Sequence, residues 1–240
     1  MLNRFFRIGL IIPSSNTTME TEFHNFFPEN FSIHTARLRL RKVTVEELSL
    51  MESLIDDEVF KILDADVDLI VYGCTTGSLF RGLGHDKLIE ERIEKIGGKP
   101  AISTSGAVVN ALRFLNAQRI SVATPYIDEL NILEKSFLMK NGFEVLDLKS
   151  LNLVNNLDIG RVTSDKLVEL VLKLDYNDSD AIFISCTNLP TLNLIEHLES
   201  ITGKPVVSSN TATIWAVLRK LNYRFSIDGY GKLIYSIGKG

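Results

Sequence analysis

The feature that most constrains this chain is that one plan occurs in it twice. The run RIGLIIPSSN from Arg7 recurs in outline as RISVATPYID from Arg119, 112 positions later, with Pro13 and Pro125 in register. DLIVYGCTTGS (68–78) matches DAIFISCTNLP (180–190) at the same spacing, which makes Cys74 and Cys186 equivalent positions. GKPAISTSGAVVNAL (98–112) and GKPVVSSNTATIWAV (203–217) follow, now 105 apart. Three ordered matches with one small length change specify a duplicated lobe, because solenoid units are shorter and come in larger numbers. The expected division is residues 1–112 and 113–240, with the Gly- and Tyr-rich tail after Asn222 packing back on a lobe.

Each lobe alternates strand and helix. Residues 7–12, 68–72, 119–123 and 180–184 are short apolar runs of the kind buried parallel strands show, and Phe31–Leu40 and Phe143–Leu148 supply second strands. Helices are expected over Thr17–Phe27, Thr44–Asp64, Asp128–Asn141 and Thr163–Leu174. Thr44 and Glu47 have the form of a capping box, and Asn141-Gly142 closes the third helix. The fold class is therefore α/β, with mostly parallel sheets covered by helices on both faces.

Ligands of open parallel sheets bind beyond the carboxyl ends of the strands. Four loops lie there: Pro13–Thr17, Gly73–Ser78, Thr124–Tyr126 and Ser185–Asn188. They are dense in hydroxyl, amide and thiol groups and contain no Lys, Arg, Asp or Glu. Leading into helix starts, they suit carboxylate binding by neutral donors, and a helix start is expected to lower a thiol pKa. A single unpaired cysteine is usually a small hydrophobe. Two at equivalent strand ends, each followed by Thr, point instead to one thiol on either side of a bound acid. Some nearby Ser and Thr residues read as helix caps. A Cys74–Cys186 disulfide is a minor alternative in a reducing compartment.

Other classes drop out. With 26 basic against 30 acidic residues and a pI near 5.6, the chain lacks the basic patch that nucleic acid requires. Thirteen Phe and abundant aliphatics exclude disorder. The apolar run Ile8–Ile12 is too short for a signal or membrane segment, so a cytoplasmic location is expected. Gly82-Leu-Gly84 reads as a turn, no phosphate-loop pattern occurs, and His24, His34, His85 and His197 lack metal-ligand spacing and read as surface or satisfied core residues. Arg37, Arg39 and Arg41 read as a solvated strand face, with an acidic substrate as the other reading. Trp215 reads as core.

At the residues just quoted the sequence resembles the aspartate/glutamate racemase superfamily over nearly its whole length. Pro13–Thr17, the Arg37 region with Val43–Glu47, Thr124–Tyr126, Ile159–Val162 and Ser208–Asn210 look like the maleate cis–trans isomerase and arylmalonate decarboxylase branch. The first loop lacks the acidic residue of glutamate racemases, and Leu189-Pro190 replace their histidine segment. The resemblance implies two pseudo-symmetric flavodoxin-like lobes with the active site in the cleft between them. It makes Cys74 the nucleophile that adds to an alkene carbon and Cys186 the general acid/base. It also implies that Asn16 and Tyr126 hold substrate carboxylates, that Asn155 or Asn156 lies near a third such position, and that Ser15, Thr75, Thr76, Thr187 and Asn188 add donors. The partner implied is a small carboxylic acid, with no cofactor and no metal; members are often homodimers. One departure is Thr75-Thr-Gly-Ser78, small and polar where maleate isomerases are bulkier, which is similar to the ectoine-utilisation relatives of the branch.

The leading expectation is thus an isomerase of a small, maleate-like dicarboxylate. The alternatives are a racemase of acidic amino acids using both thiols as opposed bases, an arylmalonate decarboxylase-like enzyme, and a non-catalytic carboxylate-binding protein. Arylmalonate decarboxylases keep only the second-lobe cysteine, so Cys74 argues against decarboxylation.

Overall fold

The computed structural model describes residues 4–224 and 227–239. In the first half the order is β1 (Phe6–Pro13), α1 (Met19–Phe26), β2 (Phe31–Leu38), α2 (Val45–Ser53), α3 (Ile55–Leu63), β3 (Leu69–Tyr72), α4 (Thr75–Leu79), α5 (His85–Gly97), β4 (Ala101–Ser103) and α6 (Thr104–Phe114). The second half follows with β5 (Arg119–Thr124), α7 (Asp128–Lys140), β6 (Glu144–Ser150), α8 (Asn156–Gly160), α9 (Ser164–Leu172), β7 (Ala181–Ile184), α10 (Ile195–Thr202), β8 (Val206–Ser208), α11 (Ser209–Lys220) and α12 (Gly231–Tyr235). The strands form two four-stranded parallel sheets, ordered β2-β1-β3-β4 and β6-β5-β7-β8. That is one order twice, the 2-1-3-4 start of a flavodoxin-like sheet. Central β1, β3, β5 and β7 are almost wholly buried because helices cover both faces.

The halves join through the equivalent helices α6 and α11, which pack on each other. Thr213 Oγ1 lies 3.4 Å from Thr104 Oγ1 there, and Trp215 is buried, as expected of a core residue. Of the tail, Tyr223 sits edge-on against Phe6 and Phe31 of the first half, and α12 packs on α10 and α11 of the second. The tail therefore ties the halves together; Phe225 and Ser226 lie outside the described residues.

Two expectations are corrected. The helix expected over Thr44–Asp64 is two helices, broken at Leu54, where the Ser53 hydroxyl donates to the Leu50 carbonyl and Leu54 N–H bonds back to Met51. The capping box is half formed. Thr44 accepts the Glu47 N–H (3.3 Å), but the Glu47 carboxylate takes the N–H groups of Arg41 (2.7 Å) and Lys42 (2.8 Å) instead. It thereby shapes a strap, Arg41–Val43, which pairs with its counterpart Val154–Asn156 across the cleft: Val43 N–H donates to Val154 O (2.8 Å) and Asn156 N–H to Arg41 O (2.9 Å). Gly82 and Gly84 both have positive φ, the turn expected of them.

Candidate active site

The strand ends β1, β3, β5 and β7 converge between the sheets on one cavity. It is lined by Pro13, Asn16, Leu40, Val43, Leu48, Cys74, Thr75, Thr76, Tyr126, Asn156, Cys186 and Thr187. The twelve include no charged side chain, so an anion inside would meet amides, hydroxyls and thiols only. The volume between atoms is about 260 Å3, so broken up by side chains that it admits little more than one water molecule. The strap supplies Val43 and, just before it, Leu40, which close the roof.

Cys74 follows β3 with extended backbone and caps α4, its sulfur accepting the Gly77 N–H at 3.3 Å. Cys186 follows β7 at φ +102°, in the left-handed region that a side chain rarely adopts. No α-helix begins beside Cys186. Its sulfur accepts the Asn188 N–H at 3.4 Å, its own N–H donates to Ser209 Oγ at 3.0 Å, and Tyr126 lines the cavity beside it. Both cysteines are buried and free, so the disulfide alternative is not what this structure contains. The expected lowering of the thiol pKa is corrected. Burial outweighs the donors, pushing Cys74 up to about 11 and Cys186 up to about 12.

The remaining candidates divide. Asn16 lines the cavity; its Oδ1 accepts the N–H groups of Thr18 and Met19 at the start of α1, and its Nδ2 donates to Thr187 Oγ1 at 3.0 Å. Thr187 passes its own hydrogen to Gly73 O, so one hydroxyl joins both cysteine loops. Thr75 donates to Ser209 (2.9 Å), and Thr76 lies 3.9 Å from the Cys74 sulfur. Asn156 lines the cavity, whereas Asn155 is exposed and donates to Asp158 outside it; Asn156 is therefore the site residue of the two. Ser15 is also displaced from the lining. It donates to Leu40 O and accepts from Asn156 Nδ2 (2.9 Å), bracing the wall from behind. The Asn188 side chain likewise turns away, accepting the Thr17 N–H (2.8 Å) and donating to Asn156 O (2.6 Å). Of the three arginines Arg37 is structural: it pairs with Glu20 and donates to the carbonyls of Ser14 and Asn16, holding the first loop.

Sequence reasoning missed the apolar roof of Leu40, Val43 and Leu48, whose residue types carry no chemical signal. It also missed Glu22 and Glu134, both buried and 112 residues apart like the cysteines. Burial raises each carboxyl to about 7. Glu22 clamps the halves, accepting Thr191 N–H (2.7 Å), Leu192 N–H (2.9 Å) and Asn210 Nδ2 (2.6 Å). Among the described residues Glu134 accepts only from Ser185. His85 is a further surprise: buried as expected of a core histidine, it leaves Nε2 without a hydrogen-bond partner among the described residues.

The profile of the arylmalonate decarboxylase family matches residues 8–234. The chain belongs to this family. It is 34% identical to a maleate isomerase of Geobacillus stearothermophilus, covering 96% of this chain and 98% of the relative. Among solved structures, the maleate isomerase Iso of Pseudomonas putida S16, a cysteine-to-alanine variant with maleate, superposes with a TM-score of 0.91 at 32% identity, covering 96% of this chain and 98% of that one. A cysteine-to-serine variant of the Nocardia farcinica maleate cis–trans isomerase, holding a covalently bound succinylcysteine intermediate, superposes at 0.92 and 30% identity, covering 97% and 99%. The branch expected from the loops is thus the right one. Family members in these structures share the two-sheet architecture described above. Among the described residues there is no group of three or more His, Cys, Asp or Glu placed to hold a metal, and no helix long and apolar enough to cross a membrane.

Proposed function

We propose that this protein is a maleate cis–trans isomerase that works by thiol addition and elimination without a cofactor. The observation that carries the reading is the single uncharged cavity into which each half delivers one free cysteine. The succinylcysteine held by a relative is the adduct that such a reaction passes through.

The Cys74 thiolate adds to one alkene carbon. The C–S bond forms, the π bond breaks, and its electron pair moves to the neighbouring carbon, where the attached carboxylate spreads it as an enediolate. Cys186 gives that carbon its proton. The single bond rotates, the Cys186 thiolate takes a proton back, and the C–S bond breaks to release fumarate and the Cys74 thiolate. Every atom returns to its starting place, so side chains supply all the chemistry. Asn16, Asn156 and Thr76 are the neutral donors for the carboxylates, and one donor to a developing enediolate is worth about 2.7–4 kcal/mol. Burial keeps both thiols protonated at neutral pH, so Cys74 must release its proton to solvent before the cavity closes on the substrate. The racemase alternative would use the same thiols on an α-proton.

Proton NMR in deuterated water, with reduced protein and separate samples of maleate and aspartate, tests the reading. Fumarate growing from maleate is expected. Deuterium entering the α-position of aspartate, with maleate untouched, would overturn it in favour of a two-base racemase.

A further inference from the structure

Behind Cys186 runs a line of buried hydroxyls that the reaction above does not use. Tyr126 lines the cavity beside Cys186 and its hydroxyl acts on the thiol, Ser185 Oγ lies 3.4 Å from Tyr126 Oη, and Ser185 Oγ lies 2.5 Å from Glu134 Oε1. Glu134, Ser185 and Tyr126 are each at most 1% exposed. The second carboxyl oxygen, Glu134 Oε2, has no hydrogen-bond partner among the described residues. Among the described residues no cation neutralises this carboxyl. On α7 itself the charged Asp128, Glu129, Lys135 and Lys140 face solvent. Of the elements packed on α7, α4 carries no titratable side chain, and β6 carries Glu144 and Lys149 on the surface and Asp147 paired with Lys149. The titratable groups facing Glu134 are therefore Tyr126 and Cys186, with Cys74 beyond.

We propose that Glu134 is a positioning residue that shares one proton with Cys186 through Ser185 and Tyr126. In one arrangement Glu134 is a carboxylate; Ser185 donates to it, Tyr126 donates to Ser185, and the Cys186 thiol donates to Tyr126. In the other, each hydrogen has moved one place. Glu134 is a carboxylic acid donating to Ser185, Ser185 donates to Tyr126, and Tyr126 donates to a Cys186 thiolate. Three protons and one negative charge are present in both, so the shift needs no outside acid or base. The first arrangement holds Cys186 ready as an acid, the second as a base. The counterpart Glu22, with both oxygens tied to donors from the other half, has no such line behind Cys74.

This inference rests on Cys186 being the acid–base group, and its test uses no substrate. The Cys186 thiolate is titrated by its ultraviolet absorbance in Cys74→Ser, with and without Glu134→Gln. Glutamine can donate to Ser185 but never takes the proton or the charge, so the midpoint is expected to fall by about one pH unit or more. Repeating the comparison in a Ser185→Ala background separates the relay from plain charge repulsion. There the shift is expected to shrink to less than half, and an equal shift with and without Ser185 would overturn the relay. An unmoved midpoint in folded Glu134→Gln protein would overturn it too, since a purely structural carboxyl changes stability and leaves the thiol alone. Should Glu134→Gln not fold, Ser185→Ala alone is expected to raise the midpoint, because Tyr126 loses the donor that aims it at the sulfur; no rise is the overturning result. An unmoved titration beside intact maleate turnover removes the relay and leaves the proposed reaction standing.

Discussion

The two cysteine loops are copies whose backbones disagree. Cys74 is extended and sits over the first turn of α4, with a glycine N–H pointing at its sulfur. Cys186 occupies positive φ, opens no α-helix, and rests against a phenol and a line of hydroxyls ending in Glu134. Duplication preserved where the sulfur stands and altered what surrounds it. A reaction that needs one nucleophile and one acid requires that difference, because identical surroundings would give identical thiols. Burial pushes both thiols up, Cys74 to about 11 and Cys186 to about 12, so it is their neighbours rather than their burial that differ. Glu22 and Glu134 repeat the lesson one layer out, one spent on joining the halves and the other half-satisfied beside the chemistry.

The largest expected effect separates the thiols by what each leaves behind. Cys74→Ser and Cys186→Ser should each lose at least about a thousandfold in turnover. After exposure to maleate, mass spectrometry should find one succinyl adduct on Cys186→Ser and none on Cys74→Ser; adducts on both would erase the assigned asymmetry. Next comes pH. With both thiols raised far above neutrality, alkylation of the substrate-free protein should accelerate about tenfold per pH unit from roughly pH 7 to 10, and a plateau near pH 8 would mean that burial does not govern these sulfurs.

The glutamate pair gives smaller shifts. Glu22→Gln sets an amide N–H against Asn210 Nδ2, a donor against a donor, and should cost about 2–3 kcal/mol in urea unfolding, while Glu134→Gln keeps its single partner and costs less. Since folding raises the Glu134 carboxyl from 4.5 to about 7, the folded state holds its proton more tightly than the unfolded one. The stability this contributes is full below pH 4.5 and lost as pH rises through 7. Glu134→Gln lacks that loss, so it should gain on the natural protein between those pH values; an unchanged gap would place the carboxyl in a wetter site. Gly77→Ala would put a methyl 2.7 Å from Tyr72 Oη and 2.9 Å from Cys74 Sγ, and should cost about 1–3 kcal/mol together with activity. Smallest is the backbone itself. Cys74→Gly and Cys186→Gly both remove a buried thiol, but only the second relieves a positive φ, so it should be milder by about 1 kcal/mol in denaturant midpoints. Equal costs would show that Cys186 is not strained.

Much of this was legible because duplication makes a sequence its own alignment. The 112-residue offset paired the strands, placed both cysteines, and carries Glu22 onto Glu134 for anyone who follows it off the motif residues. What stayed hidden depends on tertiary placement. Nothing in Asn155-Asn156 says which amide faces inward; the pairing of Arg41 and Val43 with Val154 and Asn156 decides it. Ser15 and Asn188 have the chemistry of ligands, yet their hydrogen bonds are taken up by neighbouring loops. The thiol pKa expectation failed for a related reason: a helix start can be read from sequence, but the burial of both sulfurs in a cavity lined by Leu40, Val43 and Leu48 cannot.

The bonds that finish the chamber join residues far apart in the order of synthesis. Asn16 reaches Thr187 across 171 positions, and Glu22 reaches Asn210 across 188. On a ribosome the amino-terminal half emerges first and can build its own sheet, but its cysteine loop has no complete far wall until Cys186 and Thr187 follow, in the last quarter of the chain. Cys74 therefore spends most of its making as an ordinary uncovered thiol. The sealed surroundings that define its chemistry are among the last things translation delivers.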